Sequence, residues 1–309
     1  MIPNPVIVVN LRLPMYTSFN ARALGLKLSM NETLRLASQY GFGGIDVMVR
    51  DAVEQNVDLT QVKRRMDDLG LRPGAFPFPF DWRGADSQFE EDLIKLPALS
   101  KAAAVLGLER TATWVMPETP ERPTGKQARW NHDQAILHLH IQRLHRIASV
   151  LNDFGIRLGL EVIGVETSRT GKGWPFLHRL DQLEELRAWI DVLGPIPVGV
   201  LLDSWHLYAA GEPLENALFW DVSDVVWVHV ADLPAGASTD RTAMIDAVRG
   251  LPGEHGAIDS RALLAALAQR GYDGPVTAEP LAGCISLQGL TPDQAALATI
   301  QALKSVWPT

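Results

Sequence analysis

The sequence predicts an α/β protein folded as one closed (β/α)8 barrel over residues 1–309. Three observations lead there. Helical patterns that end in glycine alternate with short apolar runs, which calls for a parallel sheet covered by helices. The runs number eight, the count of a closed barrel. No run is followed by a GxGxxG or GxxxxGK loop, which weakens a doubly wound open sheet as the alternative.

Taken in order, the opening strand is PVIVVNLRL (residues 5–13), and the helical pattern NETLRLASQYGFGG (31–44) leads into GIDVMV. DLTQVKRRMDDLG (58–70) then precedes LRPGAFPF, and DLIKLPALSKAAAVLG (92–107) precedes RTATWVM. HLHIQRLHRIASVLNDFG (138–155) precedes RLGLEVIG, and VGVLLD, VVWVHVA and PVTAEPL complete the set. Glycine closes each of these helices because it accepts the left-handed conformation that ends a helix. Helix-to-strand connections are short. Three connections that follow strands are long, at 117–133, 165–176 and 232–259. In a barrel these gather at the C-terminal face, over a covered pocket.

Composition narrows the function. A net charge of −8 with scattered arginines offers no surface for nucleic acid or anionic membrane, so neither is an expected partner. The lone Cys284 excludes an internal disulfide and a cysteine-rich zinc site. It fits a reducing compartment, and with no signal-like segment and no apolar run of membrane-spanning length the expected location is the cytoplasm.

Side-chain alternation points to the chemistry. In VVWVHVA, Val226, Val228 and Val230 face one way, toward the helices, while Trp227, His229 and Ala231 face the barrel interior. By the same parity Asp203 shares a face with Leu201 and Gly199, Glu161 with Gly159, and Glu279 with Thr277. Four consecutive strands thus deliver one inward polar residue each at the C-terminal end. Neighbouring strands lie roughly 4.8 Å apart, so the four side chains reach one centre. Three carboxylates so close together require a cation. Any one of these residues alone reads better as a helix cap, a surface charge or a core histidine; their coincidence favours one divalent metal ion. Three oxygen donors and one imidazole suit Mn²⁺ or Mg²⁺, and Co²⁺, Fe²⁺ and Zn²⁺ are compatible by ligand type.

Aromatic residues are the second clue. Trp114, Trp130, Trp174 and Trp205 fall at or beyond strand ends, where the apolar face of a sugar or an aryl group stacks, although a tryptophan there is more often core. His138 and His145 share a helix face that reads as solvated, whereas His132, in the loop before that helix, is the candidate for an extra acid or base. Lys172 and Arg169 are the candidates near the site for holding a phosphate.

Four segments carry a resemblance: LGLEVIG at Glu161, LLDSWHLY at Asp203 and His206, VWVHVADLP at His229, and LPGEHGAIDSRALLAALAQRGYDGPVTAEP ending at Glu279. Together they resemble the xylose isomerase-like TIM barrels, which include sugar phosphate isomerases, ketose 3-epimerases, inosose dehydratase and endonuclease IV. That resemblance implies Glu161, Asp203, His229 and Glu279 as metal ligands, with Glu161 and Glu279 doubling as an acid/base pair on opposite faces of the substrate. It also implies His206 as a contact to substrate oxygen, Arg241 in the place of an arginine that follows the histidine ligand, and a homodimer or homotetramer. The substrate it implies is a small sugar or polyol, for which the strand-end position of Trp205 and Trp114 makes them binding candidates.

Three functions follow. The first is a metal-dependent isomerase or epimerase of a sugar or keto-sugar, working by proton abstraction beside a carbonyl. The second is a lyase on the same site, either an inosose-type dehydratase or an enzyme that eliminates an aglycone from a 3-keto-glycoside. The third, a non-catalytic sugar-binding subunit, sits poorly with an intact ligand set. Endonuclease IV chemistry needs further histidine and aspartate ligands and a basic DNA surface, which this acidic chain lacks.

Overall fold

The computed structural model describes residues 14–308. The opening run at 5–13 lies outside them; the first described strand is β1 (Tyr16–Phe19). The remaining strands are β2 (Gly44–Ile45), β3 (Arg72–Pro73), β4 (Phe76–Pro77), β5 (Arg110–Trp114), β6 (Arg157–Glu161), β7 (Val198–Asp203), β8 (Val225–Val230) and β9 (Pro275–Ala278). All pairings are parallel, in the order β3-β2-β1-β9-β8-β7-β6-β5-β4.

The two ends of that order, β3 and β4, are separated in sequence by Gly74 and Ala75 alone. They are halves of one stave, so nine strands make an eight-stave barrel. The break has a local cause. Asp46 turns into the barrel beside Gly74 and accepts the Ala75 backbone N–H at 3.0 Å. A Cβ on Gly74 would stand 2.2 Å from Asp46 Oδ1 and 2.5 Å from Ser18 Oγ, so only glycine fits there.

Helices pack outside the staves, on the leucine- and valine-rich outer faces that form the main core. Inside, Ala75, Ala112, Leu201 and Trp227 form a small apolar layer. The expected alternation in β8 holds for Trp227, His229, Val228 and Val230, but not for Val226. The β7–β8 register shifts between Val200, opposite Val225, and Leu201, opposite Trp227. Val226 is the extra residue of a bulge, and a Cβ built on inward-facing Gly159 would lie 3.0 Å from its Cβ.

A second difference concerns the long connection after β5. Residues 126–133 extend the following helix toward its N-terminus, so it runs Lys126–Asn152 and carries His132, expected in a loop. The segment KQARWNHD contains no proline or glycine, and the breakers stop at Gly125. Among the described residues, no helix is long and apolar enough to cross a membrane.

Candidate active site

Each candidate ligand owes its place to the end of a stave. Glu161 ends β6 and Asp203 ends β7; His229 lies near the end of β8, and Glu279 follows β9 with its N–H bonded to Val230 O at 3.0 Å. One donor atom from each of the four lies within 4.8 Å of the others. His229 is held edge-on against Trp227, ring centroids 4.4 Å apart, and Trp227 Nε1 donates to Thr277 Oγ1 at 2.9 Å.

Asp203 has two tasks. Its Oδ1 caps the helix Ser204–Ala210, accepting the Trp205 N–H at 2.9 Å, while Oδ2 faces the centre. The cap turns the chain at once into a helix that carries His206 back over the cluster. His206 Nε2 is 4.0 Å from Glu161 Oε1 and 3.8 Å from Asp203 Oδ2. The same turn takes Trp205 away from the cavity, into an apolar group with Val165, Ala231, Leu233, Met244 and Ile258.

Arg249 completes the centre. Its side chain is 2% exposed, and Nη1 donates to Asp203 Oδ2 at 2.8 Å and Glu279 Oε2 at 2.9 Å. Its Nη2 donates to Asp246 Oδ1 at 2.6 Å and lies 3.2 Å from His206 Nε2.

The charges perturb one another strongly. Burial, then the facing charges of Asp203 and Glu279, raise the Glu161 carboxyl well above the usual range. Burial also opposes ionisation of Glu279, but His229 and Arg249 overcome it and draw that carboxyl down to about 2. His206 is lowered, chiefly by burial. Burial also pulls His229 down, but the neighbouring Glu279 outweighs it and leaves the imidazole above its ordinary value. Two carboxylates in one centre thus carry opposite shifts.

These residues fit a divalent cation. Three carboxylates meet one imidazole, and both ring nitrogens of His229 are buried without a hydrogen-bond partner, although Nδ1 stands 3.2 Å from Glu279 Oε2. A buried imidazole left unpaired is costly unless a ligand completes it. The donor types do not choose among Mn²⁺, Mg²⁺, Zn²⁺, Co²⁺ and Fe²⁺.

The four side chains lie toward the floor of a cavity of about 650 Å³ that Glu161, His206, Arg249 and Glu279 help to line. Trp114 lines it too, opposite Glu161 in the β5–β6 register and 41% exposed, with the Arg83 guanidinium 3.5 Å from its ring centre. Lys172 is on the rim. Arg241 is placed elsewhere: it is exposed, and its guanidinium lies 4.6 Å from the Tyr208 ring centre. Trp130, Trp174, His132 and Arg169 do not line the cavity either. The arginine at the centre, Arg249, was not legible from its spacing, because it sits within the long connection at 232–259, which sets it no fixed distance from His229. The available signal was its place two residues before LPGEHGAID, just outside the segment that carries the family resemblance. Arg83 and Asp246 had no such signal.

Fold and site together define a TIM barrel with a three-carboxylate, one-imidazole centre at its C-terminal mouth. The chain belongs to the xylose isomerase-like TIM barrel family, which it matches over residues 34–306. It is 26% identical to an inosose isomerase of Halalkalibacterium halodurans over 155 residues, 48% of this chain and about half, 49%, of that protein's length. It is 22% identical to an inosose isomerase of Bacillus velezensis over 260 residues, 81% of this chain and 83% of that one. Among solved structures, a xylose isomerase domain protein from Alicyclobacillus acidocaldarius superposes with a TM-score of 0.78 at 24% identity, over 94% of this chain and 98% of that one. An IOLI protein with a bound zinc atom gives 0.75 at 18%, over 94% and 98%. The 3-keto-D-glucoside 4-epimerase of E. coli gives 0.67 at 18%, over 95% and 99%. At these identities the structural matches speak for the fold.

Proposed function

We propose that this protein is a divalent-metal-dependent isomerase or epimerase of a keto-sugar or keto-polyol, with Glu161 and Glu279 as its proton-transfer pair. The observation that carries the reading is the meeting of four donors from four consecutive staves within 4.8 Å, beneath a cavity of about 650 Å³. The inosose isomerases among its relatives support the same substrate class, a ketone flanked by hydroxyl-bearing carbons.

Glu161, Asp203, His229 and Glu279 would hold the cation. When bound, such a cation supplies Lewis acidity, polarising a carbonyl and making the adjacent C–H more acidic. The protein does the rest. One of the two glutamates takes the proton beside the carbonyl and keeps it, and the other, protonated beforehand, gives its own proton to the opposite face for epimerisation or to the neighbouring carbon for isomerisation. His206 Nε2 orients a substrate hydroxyl above Glu161, and the indole of Trp114 supplies a flat face for the carbon skeleton. The loops at 117–125 and 165–176 are tied to each other by the Glu118 and Pro175 bridge beside the cavity.

The size of the cavity favours one other reading on the same residues. Its volume lies well inside the roughly 300–1,000 Å³ of pockets for drug-sized ligands, more than a single hexose ring fills. A 3-keto-glycoside would use that room, and proton abstraction would then lead to loss of the aglycone.

The test is proton exchange in D₂O with a panel of ketoses, keto-inositols and 3-keto-glycosides. The expected result is deuterium at the carbon beside the carbonyl, abolished by EDTA. Retained mass class identifies an isomerase or epimerase, and loss of water or aglycone a lyase. If no member of the panel shows metal-dependent exchange or elimination, the enolising mechanism is wrong.

A further inference from the structure

The geometry points to Arg249 as an internal counter-cation that pairs with two of the metal-holding carboxylates in the metal-free protein and surrenders them when metal binds, with Asp246 as its second seat. The inference rests on the metal-holding reading above.

The guanidinium has two edges in use. Nη1 takes lone pairs on Asp203 Oδ2 and Glu279 Oε2, at 2.8 and 2.9 Å, oxygens on two of the four candidate ligands. A guanidinium only donates, so each lone pair it occupies is one that a metal ion cannot use. Two cations competing for the same oxygens also repel, and the repulsion is large where water is excluded. On the other edge Nη2 donates to Asp246 Oδ1 at 2.6 Å, and Nε donates to the Asp246 carbonyl at 3.0 Å. Asp246 is not among the four, and its side chain is 37% exposed at the cavity wall. Asp246 therefore leaves the guanidinium an anionic partner when the bonds to Asp203 and Glu279 are given up.

The backbone of Arg249 is held while its side chain shifts. Gly250, next in sequence, exchanges two backbone hydrogen bonds with Asp232, at 2.7 and 3.2 Å. The Asp232 carboxylate is itself fixed by the N–H groups of Leu233, His255, Gly256 and Ile258. The exchange is therefore a side-chain movement on a fixed anchor. Without metal, Arg249 stands between carboxylates that would otherwise repel; with metal, it keeps Asp246 as its anionic partner.

Calorimetric titration of the metal-free protein with Mn²⁺, together with thermal melting before any metal is added, tests this. Arg249→Met should tighten Mn²⁺ binding by about tenfold or more, because a competing cation is gone, and should lower the melting temperature of the metal-free protein. Asp246→Asn should weaken Mn²⁺ binding by roughly three- to tenfold, since Arg249 then keeps only the ligands as anionic partners. A merely structural role for this pair would weaken binding in both variants. Parent-like or weaker binding by Arg249→Met overturns the proposal. If that variant does not fold, Arg249→Gln, which keeps a hydrogen-bond donor and removes the charge, decides: tighter binding supports the exchange, and unchanged or weaker binding overturns it. A parent protein that binds no Mn²⁺, Mg²⁺, Zn²⁺ or Co²⁺ overturns the metal reading and this inference together, whereas metal binding that Arg249→Met leaves unchanged removes the inference alone.

Discussion

Asp46, just after β2, and the Glu161, Asp203 and Glu279 carboxylates, at the ends of β6, β7 and β9, belong to the same barrel sheet, yet they keep different company. Asp46 is satisfied by neutral donors: Ser18 Oγ at 2.6 Å, Thr277 Oγ1 at 2.7 Å and the Ala75 N–H at 3.0 Å. Every partner is itself fixed by a stave, and burial raises the Asp46 carboxyl above its ordinary value. Asp203 and Glu279 are compensated by the charges of Arg249 and His229, Glu161 is left with its carboxylate neighbours, and His229 keeps unpaired ring nitrogens. A carboxylate closed off by short neutral side chains is a structural joint. Carboxylates compensated by a long guanidinium can change partner, which is what a binding centre requires.

The two sites should therefore break in different ways, and the largest expected effect lies in the charged one. Glu279→Gln keeps the shape and an oxygen donor but removes the base, so metal-dependent deuterium exchange should fall by roughly 10²- to 10⁴-fold while the fold melts as the parent does. Exchange at the parent rate would exclude Glu279 from proton transfer. Asp203→Ala removes a ligand, and Mn²⁺ affinity read by calorimetry should drop by about 10- to 100-fold. A variant that binds metal as tightly as the parent would show that Asp203 is not a ligand.

For the neutral site the prediction reverses. Asp46→Ala leaves Ser18, Thr277 and the Ala75 N–H without their partner, so urea unfolding should show a loss of about 2–3 kcal/mol. Mn²⁺ affinity should stay within a few-fold. A large loss of metal binding in a variant of parental stability would merge the two sites into one.

His140 sharpens the contrast as a buried group with a single partner. Its Nδ1 lies 2.8 Å from Ile136 O, Nε2 has no partner, and burial drives it down to about 4. The unfolded chain takes up this proton near pH 6.5 and the folded one only near 4. Its contribution is thus complete above pH 6.5 and is lost as pH falls toward 4, by about 2 kcal/mol at pH 5. His140→Gln should flatten that part of the stability profile; an unchanged slope would assign it to other groups. The smallest effect belongs to the cavity wall. Trp114→Ala should cost about 1 kcal/mol in substrate binding, a KM increase of several-fold with kcat little changed, and no change in metal affinity.

Much of this was readable before folding. Seven of the eight staves follow from alternation of local patterns, the first, Tyr16–Phe19, lying outside the runs read from the sequence, and the inward parity of Glu161, Asp203, His229 and Glu279 follows from the two-residue period of a strand, which each run carries within itself. Asp46 was missed because GIDVMV is too short and too apolar for parity to single out its one carboxylate. Val226 defied parity because a bulge depends on the partner strand, and Trp205 left the cavity because Asp203 spends one oxygen on a helix cap.

What the sequence by itself determined is therefore the architecture and the four donors, since both are set by periodicities that act over a few residues. Only the tertiary structure decided which cation meets those donors. Arg249 reaches Asp203 across 46 residues of sequence and Glu279 across 30, and the anchored loop that places it follows no period that a linear reading can count.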